Sequence, residues 1–261
     1  SPIGNPQNLL IALSGNVADP FVTFFVWLVV PTVLNLFLAY AVLRLFFWKE
    51  FHSTPITAEK EPVTDRKMAA LCRLSLIIIF ALVGVKVLSV TLGLFDLRLT
   101  WIAVAAAAPI LILSPRRAHI FRRIDWHTLV FFAAMFVLME AVWASNLIQR
   151  YITDGAGAAS TGAVMASGVL ASQLLSNVPF VALYLPVLTY LGAPVEAFMA
   201  LAAASTIAGN LFILGAASNV IVIQNAEKRA GKTLSFLDFA KVGVPLTALN
   251  ALVYWAYFSL M

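Results

Sequence analysis

The sequence predicts an all-α polytopic membrane protein built on an inverted repeat, with a re-entrant hairpin and broken transmembrane helices. Three observations carry that prediction. The composition is apolar, with charge confined to a few loops; two long uncharged runs are broken in the middle by Gly, Asn, Ser and Pro; and residues 3–35 recur in residues 214–250.

Of the 261 residues, 62% are hydrophobic and 11% are charged, with a mean hydropathy of +0.94. Soluble domains average about 45–50% apolar and about 25% charged residues, so a water-soluble enzyme is excluded. The single cysteine, Cys72, excludes a disulfide framework or a cysteine-based metal site. The net charge of +5 reflects basic loops, and no basic strip interleaved with aromatics points to nucleic acid. The chain opens Ser1-Pro2-Ile3-Gly4-Asn5-Pro6 without an initiator Met, and is expected to be incomplete.

In chain order, a broken segment at 1–10 leads into an uncharged span at 20–43. Spans follow at 69–94, interrupted by Arg73 and Lys86, at 97–114, and at 126–149, interrupted by Glu140. Each approaches the roughly 20 residues that cross about 30 Å of hydrocarbon. The uncharged run 155–195 is too long for one span and breaks at Ser176-Asn177-Val178-Pro179. The run 197–226 breaks at Ala208-Gly209-Asn210 and at Gly215-Ala216-Ala217-Ser218-Asn219, and 242–261 is a plain last span. Unwound backbone survives at membrane depth only where protein or a wet cavity surrounds it, so the breaks are where a site is expected.

Basic residues set the topology. Lys49, Lys60, Arg66, Lys67 and Arg73 flank one loop, Arg116, Arg117, Arg122 and Arg123 another, and Lys228, Arg229, Lys232 and Lys241 a third. The positive-inside rule places all three in the cytoplasm, as expected of a multi-pass protein of the plasma membrane (the inner membrane of a bacterium or archaeon). The loop 227–241 then requires an odd number of crossings after 126–149. A re-entrant hairpin at 155–195 followed by one broken span at 197–226 satisfies this. Two full crossings within 155–195 satisfy it too, but each would be short, and Asn177 and Pro179 would fall in an external turn.

The repeat pairs Ile3-Gly4-Asn5-Pro6-Gln7-Asn8-Leu9 with Leu214-Gly215-Ala216-Ala217-Ser218-Asn219-Val220. Phe21 and Phe24 pair with Phe236 and Phe239, and Pro31 and Asn35 with Pro245 and Asn250. The first connector holds only Asp19 while the second is basic, so the copies point opposite ways. The repeats divide the chain into 1–47, a cytoplasmic linker at 48–68, and a second repeat at 69–261. Inverted repeats that each carry a broken helix are the signature of secondary transporters.

Ser176-Asn177-Val178-Pro179, Gly209-Asn210, Gly215-Ala216-Ala217-Ser218-Asn219 and Glu227-Lys228 together resemble the second half of the ion-transporter superfamily. That group includes arsenite permeases, citrate and divalent-anion symporters, and a sodium–proton antiporter branch. Asp125-Trp126-His127-Thr128-Leu129-Val130-Phe131-Phe132 resembles its "DW-x-T-L-hydrophobic-FF" motif, and Ser1–Asn8 its "TPIG-x-PPN" broken helix. The likeness covers nearly the whole chain. It implies that about the first five elements, an inward-facing hairpin among them, lie outside this sequence, and that substrate and cation bind between hairpin tips and broken helices. The chain departs from the pattern at Val178, where symporters carry Thr, and at Pro6-Gln7 and Ala217-Ser218, where they carry Pro pairs.

A broken helix offers free N–H groups at one half-helix N-terminus, which attract anions, and free carbonyls at the other half's C-terminus, which coordinate a hard cation. On that logic the substrate-binding candidates are Ser176, Asn177, Asn219, Ser218, Gly215, Asn8 and Gly4. The cation-binding candidates are Ser172, Ser176, Asn177, Gly209, Asn210 and Gly215. Glu140, the acid well inside a span, is a candidate proton or cation carrier, with pairing to Lys86 or to helix backbone as the alternative. Lys86 is expected to snorkel to the outer face, and His127 to anchor the inner interface. For Asn35 and Asn250, helix–helix hydrogen bonding is the favoured role. Hairpin and broken helices are expected to move against a scaffold that includes the spans near 20–43 and 242–261.

An intramembrane enzyme would need an acid pair, a nucleophile–base set or a metal cluster at depth, and no such pattern occurs. The expectation is a non-enzymatic secondary transporter of a small inorganic or organic anion, or an oxyanion such as arsenite, coupled to Na⁺ or H⁺ by alternating access. Sodium–proton antiport is the alternative, and a channel or non-transporting membrane scaffold the alternative of another class. The expected partners are the anion and the lipid bilayer, with no nucleic acid, no metal beyond Na⁺ and no cofactor beyond the coupling ion; a homodimer is left open.

Overall fold

The structure is a computed structural model and describes residues 1–53, 63, 65–146, 155–231 and 233–261. The end of the span expected at 126–149, with Lys60 and Lys232, lies outside the described residues. Among the described residues every regular element is helical. These elements are α1 (Pro6–Leu13), α2 (Pro20–Phe46), α3 (Trp48–Ser53), α4 (Arg66–Thr91), α5 (Leu99–Leu113), α6 (Arg117–Arg122) and α7 (Trp126–Ala144), followed by α8 (Gly155–Ala159), α9 (Thr161–Leu175), α10 (Asn177–Tyr190), α11 (Val195–Ile207), α12 (Ala217–Ala230) and α13 (Phe236–Leu260). Of these, α2, α4, α7 and α13 are long and apolar enough to cross a membrane. The protein is an integral, multi-pass membrane protein, and large apolar side chains such as Phe80 and Val137 stand exposed where lipid would meet them.

Local chemistry sets the helix ends. Asp65 accepts a hydrogen bond from the Met68 amide at 3.0 Å, and Ser235 one from the Asp238 amide at 3.1 Å, so polar caps start α4 and α13. Gly192 and Gly231 follow α10 and α12 with φ of +59° and +61°, the left-handed conformation that closes a helix and that glycine adopts without steric cost. The predicted span at 97–114 forms only the 15-residue α5, about 22 Å long at 1.5 Å per residue. The last span begins earlier than predicted, at Phe236, because the Ser235 cap extends it toward the basic loop.

Two compact units form, and they do not follow the sequence repeats. One comprises 1–54 and 132–261, the other 55–131. In the first, α11 is the central element. Residues 197–205 are all buried, and α1, α2, α9, α10 and α13 pack around it. A helix apolar on every side has no surface to offer solvent or lipid, and this one sits in the middle. Its alanines allow close approach: a Cβ built on Gly168 of α9 would lie 2.5 Å from the Ala204 Cβ.

The repeat-related helices α2 and α13 pack against each other in opposite directions. Asn35 reaches the Asn250 carbonyl at 3.5 Å, Thr32 contacts the Tyr254 hydroxyl at 2.9 Å, and Tyr257 donates to the Val26 carbonyl at 3.4 Å. Phe24 and Leu28 of α2 share one apolar core with α11, Tyr254 and Phe258. The buried faces of α2 and α13 weld them to the broken helix within the same unit.

In the second unit α4 packs along α5. Lys86 is buried, ion-paired to Asp96 and donates to the Leu97 carbonyl at 2.9 Å, so its ammonium extends to the α4–α5 turn and staples it instead of pairing with Glu140.

Candidate functional site

Both breaks are built by the same local device. Asn5 and Ala216, equivalent in the repeat, are the N-caps of α1 and α12, with extended backbones (φ −157° and −147°). Gly4 donates its amide to the Ser1 carbonyl at 3.1 Å, and Gly215 to the Phe212 carbonyl at 2.9 Å. The side-chain amides of Asn8 and Asn219 then reach back to those same equivalent carbonyls, at 3.3 Å and 3.5 Å. Asn219 also donates to the Gly209 carbonyl at 2.7 Å. Recurrence of a turn, an extended residue and a side-chain clasp at matched positions gives the sequence repeat its structural counterpart, while the side-chain cap is present only at Asn5.

The hairpin break is one residue wide. Helix α9 ends at Leu175, Ser176 takes φ +68°, and α10 begins at Asn177. The carbonyl end of one helix and the amide end of the next therefore converge on Ser176, which is exposed. No side chain caps α10 or α12, so the N–H groups of Asn177 and Val178 and those of Ala217 and Ser218 have no capping side chain, while the Asn219 amide donates to the Ala216 carbonyl at 3.1 Å. Asn177 is half-buried, and its Oδ1 lacks a hydrogen-bond partner.

Residues that sequence reasoning missed tie these pieces together. Gln173 of α9 donates to the Ala208 carbonyl at 2.8 Å and to the Val169 carbonyl at 3.0 Å, latching the hairpin to the broken helix. Gly215 fits beneath it because a Cβ there would lie 2.7 Å from both the Ala208 carbonyl and Gln173 Oε1. Asn5 donates to Thr206 Oγ1 at 3.3 Å, holding the first break against the last turn of α11. Gly243 of α13 meets the second break so closely that a Cβ would lie 2.3 Å from the Asn210 carbonyl. An amide one turn before a helix break was a legible signal for Gln173; nothing local marked Gly243.

The structure thus gathers Ser172, Gly209, Gly215 and Asn219 around the Gln173 latch, with the first break, which carries Asn8, held to the same end of α11. Asn8, Ser172, Gln173 and Asn177 each keep one buried oxygen without a partner, an unspent set of neutral acceptors. Ser218 and Gly4 are exposed, Asn210 is half-buried, and Gly209 and Gly215 are buried. Glu140 lies exposed on α7, whose buried residue is Met135, and among the described residues no hydrogen bond or ion pair joins it to the breaks. His127 is exposed at the start of α7.

Residues 1–193 match the family described as citrate transporter. The P protein of Mus musculus is 31% identical over 76% of this chain and 26% of its own length. A 46 kDa membrane protein of Mycobacterium leprae is 25% identical over 99% of this chain and 64% of its own. A protein named as an uncharacterised transporter of Mycobacterium tuberculosis is 27% identical over the same shares. The chain spans about a quarter of the P protein and under two thirds of the mycobacterial relatives. No solved structure matches it.

Proposed function

The chain belongs to the citrate transporter family, and from that membership we propose that it forms part of a secondary active transporter of a small inorganic or organic anion. The hairpin break and the second repeat-equivalent break carry this reading, because the N-termini of α10 and α12 have no side-chain cap and Asn177 and Gln173 each keep an unpartnered oxygen there. Anionic oxygens bind the amide ends of α10 and α12, near Ser176, Asn177 and Ser218. A cation takes the unspent oxygens of Ser172, Gln173 and Asn177 together with carbonyls freed at the breaks around Gly209, Asn210 and Gly215. Gly4 and Asn8 shape the first break's share of the site, and Asn219 holds the second break's backbone in position.

No basic side chain stands at the described breaks, so an anion carried to membrane depth draws its compensating charge from helix ends and from a co-bound ion. That need couples transport to Na⁺ or H⁺. Alternating access then moves the site between the two sides, with the basic loops on the cytoplasmic side of a plasma or inner membrane. A transport role, not catalysis, is what such a constellation serves.

The test uses the complete parent protein in liposomes loaded with a pH dye, pulsed with sodium in the presence and absence of a panel of anions, citrate and arsenite included. The expected result is a sodium or proton signal that appears with one anion and saturates. A pH change on sodium alone would make the protein a sodium–proton antiporter and overturn the symport reading. Non-saturating flux would replace the transporter with a channel.

A further inference from the structure

A second polar site lies in the unit formed by residues 55–131, apart from every residue invoked for transport. Between the N-terminal end of α4 and the C-terminal end of α5 there is a cavity of about 570 Å³, lined by Asp65, Arg66, Lys67, Ser114 and Arg116 on its polar side and by Met68, Leu71 and Pro115 on its apolar side. Three cationic side chains face one carboxylate. Asp65 is already engaged: its Oδ1 caps the Met68 amide at 3.0 Å, and its Oδ2 lies 3.6 Å from the Arg116 guanidinium. Arg66 and Lys67 remain without a carboxylate partner among the described residues.

The cavity is held by its backbone. Ser114 is 3% exposed, and its Oγ accepts the Arg116 amide at 3.2 Å while its carbonyl accepts the Arg117 amide at 3.3 Å. This turn fixes where Arg116 leaves α5. The depth in the membrane follows from two further features. Helix α4, long and apolar enough to span a membrane, begins here, and no residue of the adjoining α6 is buried. Phe121 of α6 and Trp126 meet edge-on with ring centroids 5.0 Å apart, and the Trp126 indole donates to the Phe121 carbonyl at 3.2 Å. Aromatic rings beside clustered arginines mark the headgroup level of a bilayer.

We propose that this cavity binds the phosphate of an anionic glycerophospholipid. The phosphodiester sits between Lys67, Arg66 and Arg116, near the amide end of α4, and the glycerol and first acyl carbons lie on Met68, Leu71 and Pro115. The mixed lining selects this ligand over free phosphate, which has no apolar portion to bury, and over a zwitterionic lipid, whose cationic headgroup the three basic side chains repel. The proposal does not depend on the transport reading.

The test is native mass spectrometry of the full-length protein released from nanodiscs containing phosphatidylglycerol and phosphatidylcholine. The wild type is expected to retain phosphatidylglycerol selectively. In the variant carrying Lys67→Gln and Arg116→Gln, retention is expected to fall roughly thirtyfold, at about one fivefold step per basic residue removed. A control variant with Arg122→Gln and Arg123→Gln, outside the cavity, is expected to keep it. Equal losses in both variants would mean diffuse attraction to the surface and would overturn the site, as would no loss in either. Competition on the wild type needs no variant. Short-chain phosphatidylglycerol is expected to displace the bound lipid where millimolar inorganic phosphate does not, and equal displacement by phosphate would overturn the lipid assignment.

Discussion

Replacing Gly243 by alanine tests whether the second break is held by close backbone contact. A glycine inside a 25-residue helix ordinarily costs about 1 kcal/mol against alanine, so helix propensity alone predicts that Gly243→Ala stabilises α13. The structure predicts the reverse. The added Cβ would lie 2.3 Å from the Asn210 carbonyl and 2.6 Å from the Leu211 carbonyl, both backbone atoms that no side-chain rotation can move. Carbon–oxygen contacts settle near 3.3–3.6 Å, so α13 and the break must part by about 1 Å. Overpacking of this kind costs about 1–3 kcal/mol, which offsets the propensity gain of about 1 kcal/mol and leaves a net loss of up to about 2 kcal/mol. Because the displaced carbonyls belong to the proposed cation site, anion uptake should fall as well. Thermal unfolding of the detergent-solubilised full-length protein reads the first effect and uptake into liposomes the second. Gly84→Ala on α4, where nothing lies within 4 Å of the new Cβ, is the control and should not destabilise. A Gly243→Ala protein as stable as the wild type, with unchanged uptake, would refute the reasoning.

Gln173→Leu removes the donor to the Ala208 carbonyl and strands that carbonyl; a loss of about 1–3 kcal/mol is expected, and an unchanged unfolding midpoint would count against the latch. Asn177→Ala and Asn219→Ala should each abolish uptake without loss of membrane insertion. They should part on stability, since Asn219 clasps backbone carbonyls and Asn177 Oδ1 holds none; normal uptake kinetics in both would remove these residues from the site. Asp125 accepts the Thr128 hydroxyl at 2.6 Å and the Thr128 amide at 3.0 Å, which holds its carboxyl below the usual carboxylate range. The folded carboxylate is therefore favoured, and its stabilisation is present above the ordinary value of about 3.9 and lost as pH falls through the depressed one. Asp125→Asn keeps a capping oxygen without the charge, so its unfolding midpoint should drop less on acidification; superimposable pH profiles would disprove the cap's contribution.

The helical membrane class was legible because a bilayer leaves few options: apolar runs near span length, with charge held to the loops, have only one way to satisfy their backbone. The positions of the breaks were legible for a related reason. Ser176, Gly209 and Gly215 interrupt runs that carry no charge, and the helices stop or tighten at those places. The recurrence of Gly4 and Asn8 in Gly215 and Asn219 was visible as letters, and the folded chain shows why those letters recur. Each Gly closes a turn on the carbonyl that its Asn then clasps.

Other features depended on contacts between segments distant in sequence. The partner of Gln173 was set only when α9 was laid against Ala208. The need for glycine at Gly243 arose only where α13 met the carbonyls of Asn210 and Leu211. Lys86 was expected to reach the outer face, and only the folded turn after α4 supplies the partners it reaches, Asp96 and the Leu97 carbonyl. The burial of α11 on every side, and the fusion of α2 and α13 into the unit that holds the breaks, likewise follow from packing. Sequence by itself determined which segments are apolar, where they break and which breaks are copies, because hydrophobic burial, charge cost and backbone hydrogen bonding act locally on a chain in lipid. Only the tertiary structure decided which face meets which, because helices apolar nearly all round carry no stripe to choose a neighbour, and that choice rests on the fit of small residues such as Gly168, Gly215 and Gly243 against particular backbones.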